Sequence, residues 1–319
     1  MSDLDPPACW RRSLGFLGGA ILGAVLLFAA WAKILDPSAF VEQIRLEGLD
    51  FLLPATAVAF IALALEVGLG AALLLGLRRL WVLIPSAFLV VFFLWLTGRN
   101  YWLTARGLRE EGASCGCFGN LVDRTPAEAF WQDLLLLVPP LLLAFLAWSW
   151  GSRRWLRPRV AAVTLLTLAA MVVAWKAPEL PLDNLATRLR PGVEPAKLCT
   201  GAEGERICFS TIVPELQTGS HYVVLADLED PGFGEAVGDL NAYTLSGGAS
   251  RLWVVTSVEP EVVSSFFWQW GPSFEIREGP EAILKSMYRR LPRSFFVVDG
   301  RVTETFSGLP PLGQDQESS

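Results

Sequence analysis

The chain has 319 residues, of which 52% are hydrophobic and 18% charged, with a formal net charge of -6. That is too apolar for an ordinary soluble protein of this length and reads as an integral membrane protein. Neither half carries a basic stripe able to track phosphates, which excludes nucleic acid as a partner, and the single histidine, His221, has no histidine partner for a zinc, haem or copper site, so no metal is expected.

Apolar residues concentrate before about Ala177. Five stretches come near the roughly 20 residues a helix needs to cross a bilayer: Ser13 to Ala32, Phe51 to Gly76, Leu80 to Leu103, Phe130 to Trp150 and Val160 to Trp175. The first reads as a retained span rather than a cleaved leader, because the run is long and no clear small-x-small cleavage site follows it. After it, Asp36-Pro37-Ser38-Ala39-Phe40 starts a helix. Phe40, Val41, Ile44 and Leu49 give that helix an apolar face, suited either to the membrane interface or to a tight connection. Gly19 with Gly23, and Gly68 with Gly70, are spaced for close helix approach. Glu66 sits midway along an otherwise apolar span, where a carboxylate is costly unless protonated, paired or facing a polar cavity. It is a candidate proton or quinone site, or else a neutral acid hydrogen-bonded inside the bundle.

Arginines cluster at Arg11 and Arg12, at Arg78 and Arg79, and at Arg153, Arg154, Arg157 and Arg159, all on one side of this topology. The positive-inside rule makes that side cytoplasmic and puts the Asp36 loop, the loop near residue 115 and everything after Trp175 outside. Arg99, Arg106 and Arg109 dissent, with Glu110, Glu111 and Asp123 nearby. Trp31, Trp102, Trp131, Trp150 and Trp155 fall near span ends as an interfacial aromatic belt, with lipid as the partner.

Between the third and fourth spans lies Ser114-Cys115-Gly116-Cys117-Phe118-Gly119-Asn120, a glycine-rich polar turn with two thiols one residue apart. Cys115 and Cys117 can close only a small ring, so a disulfide between them should be strained and comparatively oxidising. Arg124, or the helix start near Thr125-Pro126, would lower a nearby thiol pKa by positive potential. The readings are thiol-disulfide exchange, with electrons passed between an external protein and a lipid-soluble acceptor, or a fixed disulfide or packed turn. Cys9 is an isolated thiol on the cytoplasmic side.

A linker rich in Pro and Leu (Pro178 to Pro195) leads to a tail of alternating strands and helices. A hairpin near Ala196 to Phe209 turns at Gly201 to Gly204 and is flanked by Cys199 and Cys208. Cross-strand side chains there come within disulfide range, so this pair is either a structural bridge or a second redox pair. Strands are predicted at Tyr222 to Asp227, Leu252 to Val255, Phe274 to Arg277, Ser294 to Val298 and Val302 to Phe306, and helices at Gly234 to Tyr243, Pro260 to Trp268 and Pro280 to Arg290. Asp299-Gly300 is a strong hairpin turn. Trp253, Phe266, Phe267, Trp268 and Trp270 are expected in the core or on a docked face rather than around a cofactor. The tail is an α/β unit with an antiparallel edge.

Lys33-Ile-Leu-Asp36-Pro37-Ser-Ala-Phe40 and Cys115-Gly116-Cys117-Phe118-Gly119 resemble the marks of the MauE/DoxX-like redox-associated membrane proteins, over roughly residues 13 to 150. The resemblance implies a four-helix bundle, to which this chain adds a fifth span. It also implies an accessory protein for disulfide formation or maturation of a periplasmic dehydrogenase subunit in methylamine utilisation, working with a thioredoxin-like partner. The tail is similar to that partner type. Pro292 matches the cis-proline that faces the active site in such domains, whereas Asp230-Pro231-Gly232-Phe233 stands where Cys-Pro-x-Cys is expected.

The expected organisation is a bundle over 1–150, a fifth span and linker over 151–195, and an extracytoplasmic thioredoxin-like domain over 196–319, in a bacterial inner membrane. The expected function is a thiol-disulfide redox or maturation factor, with Cys115 and Cys117 exchanging electrons with a client and a quinone as candidate cofactor. A non-catalytic assembly scaffold and a small-solute carrier are the alternatives.

Overall fold

The computed structural model describes residues 9–108, 124–146, 156–200, 206–248 and 250–312. The chain divides into two compact units, Met1–Leu180 and Pro181–Ser319.

The first unit is helical: α1 (Cys9–Leu35), α2 (Pro37–Leu46), α3 (Ala55–Leu74), α4 (Leu80–Ala105), α5 (Pro126–Leu146) and α6 (Leu156–Lys176). Five of these helices, all but α2, are long and apolar enough to cross a membrane. Helix α1 packs on α3 and α5, α4 on α5, and α6 on α3. Leu22, Leu26, Leu73, Val82, Leu83, Val90, Leu137 and Ala144 form the buried centre. The outward faces stay apolar, with Phe88, Leu135, Leu165 and Val172 all exposed, as expected where lipid rather than water is the solvent.

Glycine lets two backbones touch at one crossing. A Cβ on Gly23 would lie 2.7 Å from the Gly70 carbonyl oxygen, and one on Gly70 would lie 3.0 Å from that of Gly23. The close pair is thus one glycine from each of the two expected motifs, brought together across α1 and α3. Gly18, rather than Gly19, makes the tight approach to α5, where a Cβ would fall 2.5 Å from the Pro140 carbonyl oxygen. Helix α2 is capped by Asp36, whose side chain accepts from the Ala39 N–H at 3.1 Å. Its Phe40, Val41 and Ile44 pack on Ala55 and Ala59 of α3, so its apolar face is covered by protein.

The second unit opens with α7 (Asp183–Ala186), the short hairpin β1 (Cys199–Thr200) and β2 (Ile207–Cys208), and α8 (Phe209–Ile212). It continues with β3 (Ser220–Leu225), α9 (Pro231–Leu245), β4 (Arg251–Thr256), α10 (Pro260–Trp270), β5 (Glu275–Glu278), α11 (Glu281–Leu284), β6 (Arg293–Val298) and β7 (Arg301–Phe306). Its five-stranded sheet has the order β5-β4-β3-β6-β7. β3 is parallel to β4, β4 is parallel to β5, and β6 and β7 run antiparallel. The central strands are buried on both faces with a period of two. Val223, Leu225, Trp253, Val255, Phe295 and Val297 face a layer containing Leu198, Phe209 and Ile283. Tyr222, Val224, Leu252 and Val254 face α9 and α10 through Phe233, Val237 and Phe266. A β-α-β crossover followed by an antiparallel hairpin, in this strand order, is a thioredoxin-like arrangement. The β6–β7 turn holds Asp299 at φ 47° and Gly300 at φ 76°, the left-handed pair that an Asp-Gly hairpin requires.

Two segments differ from expectation. The stretch read as linker beyond Pro181 is folded into the second unit: Ala186, Leu189 and Pro195 are buried, the Arg188 N–H donates to the Ser286 carbonyl at 2.9 Å, and Gly192 and Val193 exchange hydrogen bonds with Val302. The helix expected over Pro280 to Arg290 is confined to α11. Its would-be continuation spends its carbonyls elsewhere, Ser286 accepting from Arg188 N–H at 2.9 Å and Met287 from the Arg293 guanidinium at 2.8 Å.

Candidate functional site

The polar centre of the membrane unit is built around Lys33, near the end of α1. Its ammonium donates to Glu66 of α3, and the two side chains are 3% and 0% exposed. The Phe40 ring of α2 and the Phe93 ring of α4 lie 4.9 and 5.0 Å from the same ammonium, within range for cation-π attraction. Lys33 also lies close enough to Asp133 of α5 for its charge to act on that carboxylate. One lysine therefore touches side chains of α2, α3 and α4.

The Lys33-x-x-Asp36-Pro37-x-x-Phe40 motif now has a physical reading. Lys33 supplies the buried charge, Asp36 and Pro37 start the helix that follows, and Phe40 is thereby placed against the ammonium. Glu66 is accordingly ion-paired rather than isolated, although its Oε2 has no hydrogen-bond partner.

Two further ion pairs lie in the membrane unit. Asp133 Oδ1 accepts from Arg124 at 3.1 Å, both side chains being buried, while Asp133 Oδ2 has no partner. Glu47 accepts from Arg99 at 2.8 Å and from Asn100 at 3.1 Å. Thr125 and Glu128 close a reciprocal capping box, Thr125 N–H to Glu128 Oε2 at 3.0 Å and Glu128 N–H to Thr125 Oγ1 at 3.2 Å, which fixes the start of α5. Cys115 and Cys117 lie outside the described residues. In sequence they precede Arg124 by nine and seven positions, so the chain re-enters the described bundle at the Arg124–Asp133 pair.

In the second unit Cys199 and Cys208 are joined by a disulfide and are directly opposed in the β1–β2 ladder. The hairpin is anchored by the Phe209 N–H, which donates to the Leu198 carbonyl at 2.9 Å. Leu198 and Phe209 pack into the layer on the face of the sheet opposite α9. Helix α9 begins at Asp230, whose side chain caps Gly232 N–H at 3.0 Å, and no thiol stands in that first turn. The Leu291–Pro292 peptide is cis, directly before Arg293, the β6 residue paired with Leu225 at the end of β3.

His221 is used structurally. Its Nδ1 accepts from the Trp253 indole N–H at 3.2 Å, which leaves Nε2 to donate to the Thr218 carbonyl at 2.7 Å. Trp253 and Phe266 are core residues, whereas Phe267 and Trp268 are exposed, Trp268 at 91%, so those two lie outside the core.

Arg293 is 1% exposed and donates to Thr187 Oγ1 at 2.6 Å, the Met287 carbonyl at 2.8 Å, and Asn184 Oδ1 and the Leu189 carbonyl at 3.1 Å each. Burial lowers its pKa to about 10, with Asp183 opposing and Arg289 adding to the fall.

Sequence reasoning singled out Glu66, and Lys33 as part of the family motif, but not their pairing, nor Asp133. The signal for Asp133 was the same one, a carboxylate inside an apolar run.

The fold and these sites define a multi-pass helical membrane protein that carries a thioredoxin-like unit. Residues 11–149, a stretch that runs from α1 through α5 and ends before α6, match the family described as methylamine utilisation protein MauE. No curated protein matches the chain. Among solved structures it is similar to a candidate thiol:disulfide interchange protein DsbE from Chlorobium tepidum, at 13% identity over 39% of this chain and 89% of that one, with a TM-score of 0.30. That likeness is too slight to carry an argument, and the thioredoxin-like assignment rests on the strand order and directions.

Proposed function

We propose that the protein is a membrane thiol-disulfide redox or maturation factor of a bacterial inner membrane. Cys115 and Cys117 form its working pair, and its thioredoxin-like unit, on the extracytoplasmic side, engages a client protein. The observation that carries this reading is the bare start of α9. A thioredoxin-like unit whose first helical turn reads Asp230-Pro231-Gly232-Phe233 cannot perform dithiol exchange there, which leaves the chemistry to thiols of the stretch that matches the MauE family. The disulfide of Cys199 with Cys208, on a hairpin anchored in the opposite layer, then acts as a structural bridge. The family's description supports methylamine utilisation as the setting, and the motif resemblance suggests a periplasmic dehydrogenase subunit as the client.

The scaffold reading draws on the exposed Phe267 and Trp268, which suit the binding of a protein without electron exchange. The solute-carrier reading loses its main support, because Glu66 is neutralised by Lys33 and withdrawn from solvent.

Differential alkylation with mass spectrometry on the membrane-embedded protein, poised through a series of redox buffers, separates these readings. Cys115 and Cys117 are expected to interconvert at mild potential while Cys199 and Cys208 stay oxidised. Cys115→Ser or Cys117→Ser is expected to abolish client maturation, and one of them to trap a mixed disulfide. Maturation that survives both substitutions would leave the scaffold.

A further inference from the structure

Helices α1, α4 and α6 begin at Cys9, Leu80 and Leu156. A helix start is its positive end, where Asp and Glu are favoured and Arg is not. None of these three first turns holds an acidic residue. Instead α1 carries Arg11 and Arg12, Arg79 is the N-cap of α4, and α6 carries Arg157 and Arg159. Contacts bring three arginines of this end together. Arg78, in the turn between α3 and α4, donates to the Arg12 carbonyl at 3.0 Å, and its guanidinium lies 5.9 Å from the Phe16 ring. A Cβ on Gly76, in the same turn, would lie 3.8 Å from that ring and 4.0 Å from Arg159 Nη1. The ion pairs of the membrane unit are made elsewhere, by Lys33, Arg45, Arg99, Arg124 and Lys176. Among the described residues, Arg12, Arg78 and Arg159 therefore have no carboxylate. Arg78 is partly buried, with its Nε unpartnered, and burial, with the Arg12 charge adding to it, lowers its pKa.

Like charges held together repel unless an anion lies among them. The surroundings indicate which anion. Phe16, Leu75 and Trp81, each within about one helical turn of Arg12 or Arg78, are exposed, so the charge sits on an apolar surface suited to acyl chains. Helix α6 fully buries only Ala174, near its far end, so little protein holds its start. We infer that Arg12, Arg78 and Arg159 form a binding site for the phosphate of an anionic phospholipid. Its acyl chains lie along Phe16 and Leu75, and its headgroup ties the start of α6 to α1 and to the α3–α4 turn. Guanidinium groups suit this task because their planar donors pair with phosphate oxygens in a fork, and basic groups between helix ends at a membrane surface collect anionic headgroups. The site uses residues that the redox reading does not, so the two stand or fall separately.

The test uses the full chain, stripped of lipid in detergent. Binding of dioleoylphosphatidylglycerol and of dioleoylphosphatidylcholine is followed by native mass spectrometry, with the melting temperature as a second readout. The unsubstituted chain is expected to bind phosphatidylglycerol about tenfold or more tightly than phosphatidylcholine, and to melt at a higher temperature with it. Arg78→Gln, and Arg159→Gln at an exposed side chain, are each expected to lose about tenfold in phosphatidylglycerol affinity, as loss of a hydrogen bond to a charged group does. Phosphatidylcholine binding is expected to stay as it is. Arg11→Gln removes the same charge from the same turn of α1, but Arg11 is exposed and has no hydrogen bond or ring contact to the site among the described residues. Its affinity should stay within about twofold, as for a charge screened by solvent.

Equal losses in all three variants would overturn the site and leave a diffuse positive surface, which is all that the positive-inside rule requires. Equal affinity of the unsubstituted chain for the two lipids would overturn it as well. Inorganic phosphate that displaces phosphatidylglycerol at matching concentration would overturn the lipid as the occupant, since the acyl chains would then add nothing. If Arg78→Gln does not fold, Arg159→Gln decides the outcome alone.

Discussion

The membrane bundle and the thioredoxin-like unit each bury a cation almost completely, and they neutralise it by opposite means. Lys33, 3% exposed, is held by a carboxylate and two aromatic rings. Arg293, 1% exposed, is held by four neutral oxygens, two of them backbone carbonyls. The difference follows from what each surrounding can supply. Transmembrane helices use their own carbonyls internally, so a buried ammonium there needs a side-chain partner. The chain around Arg293 is irregular, and its segments 184–189 and 286–287 have carbonyls to spare. A carboxylate partner can exchange protons, whereas a cage of neutral oxygens can only fix geometry. The first arrangement therefore suits chemistry, and the second staples the segment beginning at Pro181 onto the sheet.

The sharpest way to break this comparison is to remove the partners. Glu66→Leu leaves Lys33 charged and unpaired in an apolar bundle, and should cost about 3–5 kcal/mol, read as a lowered melting temperature in detergent. The Lys33→Met, Glu66→Leu double substitution leaves no charge and is expected to return most of that stability. No such rescue is expected at Arg293. Arg293→Met strands several buried oxygens at about 1–3 kcal/mol each where water cannot reach them, and pairing it with Asn184→Leu leaves the backbone carbonyls still unmet.

A second contrast concerns covalent against close-packed anchoring. Replacing Cys199 and Cys208 with serine frees a loop closed over nine residues and should cost the second unit about 2–3 kcal/mol, measured by urea denaturation. Gly23→Ala in the bundle forces apart two backbones whose contact leaves a Cβ only 2.7 Å from the Gly70 carbonyl oxygen. It should cost about 1–3 kcal/mol, whereas Gly68→Ala, which meets its nearest atom at 3.5 Å, should be nearly neutral.

The smallest effect is expected at alkaline pH. Burial, aided by Glu281 and Asp227, raises the Tyr288 pKa from 10.0 to about 12. Since the folded state holds this proton longer than the unfolded chain, the contribution is complete below pH 10 and is lost as pH rises through about 12. Tyr288→Phe should flatten that part of the stability curve, which chemical denaturation at a series of alkaline pH values would show.

The sequence by itself determined the elements whose cause is local. Apolar runs near 20 residues had to be membrane helices, and Asp36-Pro37 had to start the short helix between the first two. Asp299-Gly300 had to turn a hairpin, and the short continuous apolar runs of β3, β4 and β6 marked them as buried strands. It also showed that Glu66 had to be protonated, paired or facing a polar cavity, and that the thioredoxin-like unit lacked thiols where α9 begins. Only the tertiary structure decided which residues meet. Lys33 and Glu66 are separated by 33 positions, Gly23 and Gly70 come from different expected motifs, and Arg293 gathers acceptors more than 100 positions earlier in the chain. Periodicity and capping report on neighbours within a few residues, whereas a buried charge is satisfied by whichever acceptor the packing of distant helices and strands brings within about 3 Å.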